Sequence, residues 1–255
     1  MDILLRSLGY NNFEIINEVT SKVVLNNTTY ICKLIPFLNI LPYLEIQNQG
    51  GSIHIPRIYD MKHLYFGELN DKLSKILSSD RKSYYSKDIS LYLVQFEYIK
   101  GVPYWSDKYR NQQISTFNLN KLMFETFTCI DSIHNSGYYH GDLGMGSNII
   151  LEGTFDIWNR AVIVDVEGGK ITDKKQIDND IETLAYMIWQ IIVDDISLVE
   201  DCDDNIITPK HPMFIDLVKD NIKRFDKYIE YLEILLLIFE TKPTTTEIID
   251  KINNI

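Results

Sequence analysis

The feature that most constrains the fold of this chain is a change of residue pattern near position 101. Before it, short runs of branched and aromatic residues follow turn signals, as in residues 30–35 after Asn26, Asn27 and Thr28. Such a pattern is typical of hairpins in an antiparallel sheet. After it, apolar residues recur at helical spacing from Leu119 to Ile133. An α+β fold is therefore predicted, with a β-rich part at 1–100 and a larger helical part at 101–255.

Local signals place the individual elements. The predicted elements are a helix at 41–49, a buried strand at 91–99, a helix at 119–134, a hairpin of 148–151 with 161–164, and helices at 181–193 and 228–239. Thr244 with Glu247 three residues later predicts a capping box at the start of a last helix. The polar stretch 67–88 predicts an exposed loop.

Charge and hydropathy exclude several classes of partner. Lys and Arg number 25 and Asp and Glu number 36, so the net charge is −11. This balance disfavours binding of nucleic acid or an anionic membrane through bulk charge, and it favours a basic patch on a protein partner. The longest apolar run, 234–239, is much too short to span a bilayer.

Cysteine usage indicates the compartment. Cys32, Cys129 and Cys202 are far apart, with no neighbouring histidine cluster. A disulfide framework or a zinc site is therefore not expected, and a reducing, cytoplasmic location is predicted. The first six residues carry an acid at position 2 and do not form the apolar centre of a signal peptide.

The most informative stretch for chemistry is 138–150, YYHGDLGMGSNII. It places His140, Asp142 and Asn148 on a loop between a helix and a hairpin. Asp165 then follows an apolar strand and precedes two glycines. Carboxylate and amide oxygens in such positions suit a base and a hard-metal site. The alternative interpretation is that Asp142 and Asn148 are turn residues and that Asp165 opens a tight turn, since short Asp/Asn/Gly motifs are common.

The order of the pieces resembles the eukaryotic protein-kinase superfamily, and within it the casein-kinase-one and vaccinia-related kinases. The matching pieces are Lys33 in YICKLI, Glu45, the run FEYI at 96–99, His140-Gly141-Asp142, Asp165, DIETLAY at 180–186 and KPT at 242–244. This resemblance implies a bilobal fold with a small β-rich N-lobe at 1–100 and a larger helical C-lobe at 101–255.

The resemblance also implies ATP and Mg²⁺ as ligands and a set of catalytic residues. Lys33 would hold the α- and β-phosphates, and Glu45 would hold Lys33. Asp165 and Asn148 would bind Mg²⁺. Asp142 would orient the attacking hydroxyl group and accept its proton.

Further residues receive roles from the same resemblance. Backbone groups of Glu97 and Ile99 would meet the adenine, and Phe96 would limit the depth of its pocket. Asp180 would brace the catalytic loop from below. His140 is expected to be a packing residue and not a base.

Four departures from the kinase pattern stand out. The nucleotide-covering loop at 18–22 has no glycine, and only 14 residues (166–179) separate Asp165 from Asp180. Five residues, not four, follow Asp142 before Asn148, so Ser147 takes the expected position of the metal-binding Asn. The usual Arg before the catalytic Asp is Gly141, and the usual Lys two residues after it is Gly144.

Three functions remain open at this point. One is a minimal Ser/Thr protein kinase that transfers the γ-phosphate of ATP to a protein hydroxyl. The second is a pseudokinase that binds a protein partner, and the third is a small-molecule kinase of the aminoglycoside-kinase type. The Ile-, Asn- and Lys-rich composition fits an AT-rich viral or pathogen genome, in which case the host cell is the expected location.

Overall fold

We describe the protein from a computed structural model. The structure describes residues 1–64, 90–104, 115–143, 147–166, 168–192, 216, 219 and 226–255. They form two compact units, one of residues 1–51 and 56–99 and the other of residues 52–55 and 100–255. The predicted loop at 67–88 and Cys202 lie outside the described residues.

The first unit is built on a five-stranded antiparallel sheet. Its strands are β1 (Phe13–Ile15), β2 (Thr20–Leu25), β3 (Thr28–Pro36), β4 (Ile58–Leu64) and β5 (Leu91–Glu97), in the order β1-β2-β3-β5-β4. Asn26 and Asn27 form the β2–β3 turn with φ angles of 49° and 62°. Two successive left-handed residues match the twist of a two-residue hairpin, which explains the strength of this turn signal.

The two faces of this sheet are covered by different helices. Side chains alternate between faces along a strand, and Cys32 and Leu34 join Met1, Leu4 and Leu5 in one core cluster. Helix α1 (Asp2–Ser7) therefore packs on this face. Phe96 points to the other face and contacts Tyr43 of helix α2 (Phe37–Asn48) at a ring-centroid distance of 5.0 Å.

The bounds of these two helices differ from the predictions. Helix α1 was not predicted, because six residues are too few to show a helical period. Helix α2 begins at Phe37 rather than at residue 41, and Pro42 lies buried inside it. Proline is typical of the first turn of a helix, so Pro42 predicts a start at residue 41, which is four residues too late.

The second unit is mainly helical. Its elements are β6 (Val102–Pro103), α3 (Thr116–Asn135), β7 (Ile149–Gly153), β8 (Trp158–Ile163), α4 (Lys174–Ile192), α5 (Ile229–Thr241) and α6 (Thr245–Ile252). The predicted helices and the hairpin are confirmed, with α4 starting seven residues before its predicted position. The predicted capping box is present, since Thr244 and Glu247 each bond the backbone N–H group of the other. No helix in the described ranges is both long and apolar enough to cross a membrane.

Residues 52–55 belong to the second unit, although the chain returns to the first unit at Pro56, two residues before β4. The carbonyl of His54 accepts a hydrogen bond from the N–H of Ile163 at 2.9 Å and from the Cys129 thiol at 3.3 Å. The His54 ring bonds the carbonyl of Ala161 at 2.9 Å. This short segment thus extends the backbone pairing of β8.

A buried carboxylate joins α3 to β8. Glu125 is 8% exposed, and its Oε2 accepts hydrogen bonds from the N–H of Ala161 at 2.6 Å and from the indole of Trp158 at 3.1 Å. A buried carboxylate is tolerated when it is hydrogen-bonded in this way. The Lys121 ammonium lies 3.9 Å from the other oxygen.

Replacement of Glu125 by Leu is expected to lower the free energy of unfolding by about 3 kcal/mol, because two buried donors lose their acceptor. Glu125→Gln retains an acceptor oxygen, so its free energy of unfolding is expected to fall clearly less. Urea unfolding followed by circular dichroism measures both. Equal losses in the two variants would show that the hydrogen bonds are not the cause.

Candidate active site

The loop after α3 is held by Asp180 of helix α4. Asp180 is buried, and its Oδ2 and Oδ1 accept hydrogen bonds from the N–H groups of His140 at 2.6 Å and Gly141 at 3.0 Å. The ring Nε2 of His134 lies 3.1 Å from Oδ2. Asp180 therefore braces the loop from within, as predicted.

His134 is a structural residue that the sequence analysis did not single out. It lies on the apolar face of α3 at helical spacing, and that pattern predicts only a core residue. His134 could have been identified from the sequence by its residue type, because a histidine on a buried helix face needs a polar partner. Asp180 is that partner.

His140 connects the loop to the strand end that carries Asp165. Its Nδ1 accepts a hydrogen bond from the N–H of Asp142 at 3.2 Å, so the proton of the neutral ring belongs on Nε2. Nε2 then donates to the carbonyl of Val164 at 2.9 Å. One neutral tautomer satisfies both bonds, which identifies His140 as a positioning residue.

The electrostatic surroundings of His140 agree with a neutral ring. Burial lowers its pKa and outweighs the bond to the Val164 carbonyl and the carboxylates of Asp180, Asp142 and Asp165, all of which raise it. Both candidate site carboxylates, Asp142 and Asp165, therefore lie close enough to the His140 ring to act on its charge.

The segment after Asp165 runs directly beside the loop. The N–H of Gly168 donates to the carbonyl of His140 at 2.7 Å, and the N–H of Ile171 donates to the carbonyl of Gly137 at 2.8 Å. A Cβ atom on Gly168 would lie 1.9 Å from the carbonyl oxygen of Tyr139. Glycine is thus required at this contact for steric reasons, whatever its role in ligand approach.

Asn148, and not Ser147, reaches Asp142. The Nδ2 of Asn148 donates to the carbonyl of Asp142 at 2.6 Å and lies 3.4 Å from its Oδ2, whereas Ser147 is exposed. The carbonyl of Asn148 accepts a hydrogen bond from the N–H of Val164 at 2.8 Å. Asp142, Asn148 and the residue before Asp165 are therefore joined by direct hydrogen bonds.

Asp165 has a left-handed backbone conformation, with φ of 59°. Aspartate tolerates this region better than most residues, although it is still less favourable than the ordinary regions. The conformation turns the chain from the end of β8 towards Gly168. Strain of this kind is often found at functional sites.

The donor set at this site fits a magnesium ion. Mg²⁺ commonly takes one or two protein oxygens and completes its shell with water and phosphate oxygens. Asp165 offers a carboxylate, and the Oδ1 of Asn148 remains as the atom a cation would use because Nδ2 faces Asp142. No cluster of three or more His, Cys, Asp or Glu side chains within the described ranges forms a metal site by itself.

The first unit contains the other predicted site residues. Lys33 lies on β3 between Thr20 and Val94, on the same face as Phe96, and is half-buried. Glu45 is exposed on α2, and no ion pair in the described part of the chain includes it. The Lys33–Glu45 pair stays a prediction.

The predicted adenine-binding residues lie at the end of β5 and just after it. Phe96 is buried against Tyr43, a contact that the sequence analysis did not foresee. The N–H of Glu97 donates to the carbonyl of Arg57 at 2.8 Å, so this group is not available to a ligand. Ile99 is buried.

The predicted nucleotide-covering loop at 18–22 overlaps a closed turn at residues 16–19 and the first residues of β2. The N–H groups of Ile16 and Asn17 both donate to the carbonyl of Thr20, at 3.0 and 3.1 Å. The N–H of Val19 donates to the side-chain oxygen of Asn17 at 3.0 Å. Three backbone donors that an open glycine-rich loop would offer to phosphate are therefore already used.

Comparison with known proteins supports the fold. No protein-family model matches the chain, and no curated protein matches it. Among solved structures, it is similar to the autoinhibited serine kinase domain of the giant muscle protein titin, with a TM-score of 0.60 and 12% sequence identity. The match covers 94% of this chain and 78% of the titin domain.

The chain thus has an α+β, protein-kinase-like fold, as predicted. At 12% identity the likeness establishes the fold alone. The narrower resemblance to casein-kinase-one and vaccinia-related kinases, and the viral or pathogen origin, remain predictions.

The buried, neutral His140 is expected to make stability depend on pH. Its pKa is lowered in the folded protein, whereas an unfolded histidine titrates near about 6.5. Its contribution to stability is thus complete above that value and declines as pH falls below it, because the unfolded chain then binds the extra proton. In His140→Gln this part of the decline should disappear.

Urea unfolding between about pH 7.5 and pH 5 tests this prediction, since the range spans the unfolded pKa. His63→Gln, which changes a partly exposed histidine of the first unit, serves as the control. The gap in unfolding free energy between wild type and His140→Gln should narrow as pH falls. A constant gap would mean that His140 does not titrate differently on folding.

Proposed function

We propose that the protein is an ATP-dependent phosphotransferase, and specifically a minimal Ser/Thr protein kinase that transfers the γ-phosphate of ATP to a protein hydroxyl group. The observation that carries this proposal is the hydrogen-bonded unit of Asp142, Asn148 and His140 beside Asp165. A protein that only binds partners has no evident need for a carboxylate held in this way beside a second carboxylate.

Asp142 is the proposed base. Its backbone is fixed on both sides, by the His140 ring and by the Asn148 amide, while the residue itself is exposed. A fixed and accessible carboxylate can orient a substrate hydroxyl and accept its proton. His140 cannot share this role, because both of its ring nitrogens bond the backbone.

Asp165 and Asn148 are the proposed magnesium ligands. When bound, the ion neutralises charge on the triphosphate and on the phosphoryl group being transferred. Asn148 takes this role in preference to Ser147, because it is the one that bonds Asp142.

The first unit is proposed to supply the remaining contacts to ATP. Lys33 is assigned to the α- and β-phosphates, with Glu45 as its partner. Glu97, through its carbonyl group, and Ile99 are assigned to the adenine, and Phe96 closes the back of its pocket. Support for Phe96 is its burial against the ring of Tyr43.

A second candidate function is a binding module without catalysis. The closed turn at residues 16–19 favours it, because its N–H groups are used internally. Loss of backbone contacts to phosphate weakens ATP binding without affecting a protein–protein surface elsewhere. The two candidates differ in ATP binding and in turnover, and both can be measured.

The first test is a thermal shift with ATP and Mg²⁺. A ligand at a hundred times its dissociation constant stabilises the folded state by about 2.7 kcal/mol. The wild type is expected to show a Mg²⁺-dependent shift that Asp165→Asn reduces. Absence of any shift at millimolar ATP would contradict the phosphotransferase proposal.

The second test is transfer of labelled phosphate from ATP to protein. Asp142→Asn should reduce turnover by about a hundredfold or more, as expected for loss of a general base, while the ATP-dependent thermal shift persists. Asp156→Asn makes the same chemical change at an exposed turn and should leave turnover unchanged. Activity that survives Asp142→Asn would refute the assignment of the base.

Opening the closed turn at residues 16–19 is expected to strengthen ATP binding, whereas the preceding variants weaken binding or turnover. Asn17→Gly frees the N–H of Val19, and one new bond to phosphate should tighten ATP binding roughly two- to tenfold. Asn12→Gly, which lies outside the turn, is the matched control. Calorimetric titration with ATP and Mg²⁺ measures both variants, and unchanged affinity in Asn17→Gly would favour the binding-module function.

A further inference from the structure

Residues 137–141 and 168–171, named here the ribbon, run antiparallel to each other within the second unit. One residue from each stretch pairs in an isolated antiparallel bridge. The N–H of Tyr139 donates to the carbonyl of Gly169 at 3.2 Å, besides two other backbone bonds between the stretches. A ribbon of two short strands is only marginally stable through its backbone bonds, so its order beside Asp142 depends on side-chain packing.

The ring of Tyr139 supplies this packing by lying against three glycines of the ribbon. A Cβ atom on Gly141 would lie 3.1 Å from Cε2 of the ring, and one on Gly168 would lie 2.8 Å from Cδ2. At the other edge of the ring, a Cβ atom on Gly169 would lie 4.0 Å from Cε1. The ring therefore lies against both stretches at once, in space that side chains at 141 and 168 would otherwise fill.

Gly141 must be glycine for two reasons. Its φ angle is 81°, in the left-handed region that other residues rarely adopt. A Cβ atom there would also lie 3.2 Å from the Cα of Gly168, in addition to its contact with the Tyr139 ring. The missing side chain at 141, a departure from the kinase pattern, is thus matched by a ring that covers the same place.

The backbone of Gly141 controls the direction of Asp142, the next residue. Glycine has the widest choice of backbone angles, so a glycine at this position would by itself leave the carboxylate free to turn. Two contacts restrict it, namely the Tyr139 ring and the Asp180 carboxylate, which accepts the N–H of Gly141 at 3.0 Å. Closely packed groups hold their neighbours in place because dense packing leaves no space for movement.

A flat aromatic side chain suits this contact. Tyr139 is partly buried, and its ring can lie on backbone that carries no Cβ atoms. Many such atom pairs, each weakly attractive, add up to a sizeable interaction. Phenylalanine would keep the whole ring, whereas valine is too short to reach both stretches.

We infer that Tyr139 is a positioning residue for the base, because its ring holds Gly141 against the returning stretch at 168–169 and so fixes the direction of the Asp142 carboxylate. This inference rests on the proposed function, since it assigns a further residue to the same site. Tyr139 acts through the backbone and needs no contact with ATP or substrate. Misplacement of a reacting group by about 1 Å can lower a rate by about a hundredfold.

The first test is the kinetics of labelled phosphate transfer from ATP to dephosphorylated casein, with the full-length chain. Tyr139→Val is expected to lower kcat by about tenfold or more with little change in the KM for ATP, because the ring orients the base and does not bind the nucleotide. Tyr139→Phe keeps the ring and should retain the wild-type kcat to within about twofold.

A matched control separates positioning from loss of stability. Phe155→Val removes a buried ring from the β7–β8 turn of the same unit, at the other end of the hairpin from Asn148. It is expected to destabilise the fold while leaving kcat per folded molecule unchanged. An unchanged kcat in Tyr139→Val, or an equal loss in Tyr139→Phe or Phe155→Val, would overturn the inference.

The second test does not depend on catalysis. Amide hydrogen exchange, followed by NMR without ATP, reports on the N–H of Gly168, which donates to the His140 carbonyl, and on the N–H of Asp142, which donates to the His140 ring. Both should exchange about tenfold faster or more in Tyr139→Val, because weaker packing lets the ribbon open locally. Tyr139→Phe should match the wild type, and equal exchange in wild type and Tyr139→Val would overturn the inference.

The two tests together distinguish this inference from the proposed function. Phosphate transfer by the wild type with the same kcat in Tyr139→Val would leave the kinase proposal intact and overturn the role of Tyr139. If the wild type transfers no phosphate, the kinase proposal fails, and exchange alone decides whether the ring holds the ribbon and the backbone of Asp142. Faster exchange at Gly168 and Asp142 in Tyr139→Val would then support that hold, and equal exchange would refute it.

Discussion

The carboxylate of Asp180 is the group on which the candidate site depends. It is buried in α4, and a buried charge is stable only when hydrogen bonds replace its lost water. Asp180 receives these hydrogen bonds from the backbone N–H groups of His140 and Gly141 and from the ring of His134 on α3. The same bonds that stabilise the carboxylate therefore fix the loop that leads to Asp142.

Further constraints around the loop act through the backbone. Gly168 must be glycine because it contacts the Tyr139 carbonyl, and Asp165 accepts a left-handed conformation so that the chain can turn back towards the loop. The His140 ring then joins this returning segment to Asp142. Because these contacts hold the chain close to the loop, a short segment is enough to connect Asp165 to α4.

Most elements were predictable because their signals are local. Helical spacing identified α3, α4 and α5, and the Thr244–Glu247 pair identified the start of α6. The short helix α1 and the irregular helix α2 were harder to predict from the sequence. Helix α1 has only six residues, and α2 contains a buried Pro42, so neither follows the rules for long regular helices.

The candidate site was predictable in its residue types but not in its hydrogen bonds. Asp142, Asn148 and Asp165 were identified from their loop and strand-end positions, and Asp180 from the resemblance of its helix. The choice of Asn148 over Ser147 depended on which side chain is buried against Asp142. The contributions of His134 and Tyr43 depended on partners far away in the chain.

The sequence by itself determined the division into strands and helices, the caps and turns, and the types of the candidate catalytic residues. These follow from hydropathy patterns and side-chain chemistry within a few residues. The tertiary structure alone decided which donors remain available to a ligand. It bound the Nε2 of His140 to the carbonyl of Val164 and the N–H groups of His140 and Gly141 to Asp180. These contacts cannot be read from local patterns, because the partners are far apart along the chain. Asp180 lies 40 residues from His140, whose N–H group donates a hydrogen bond to it.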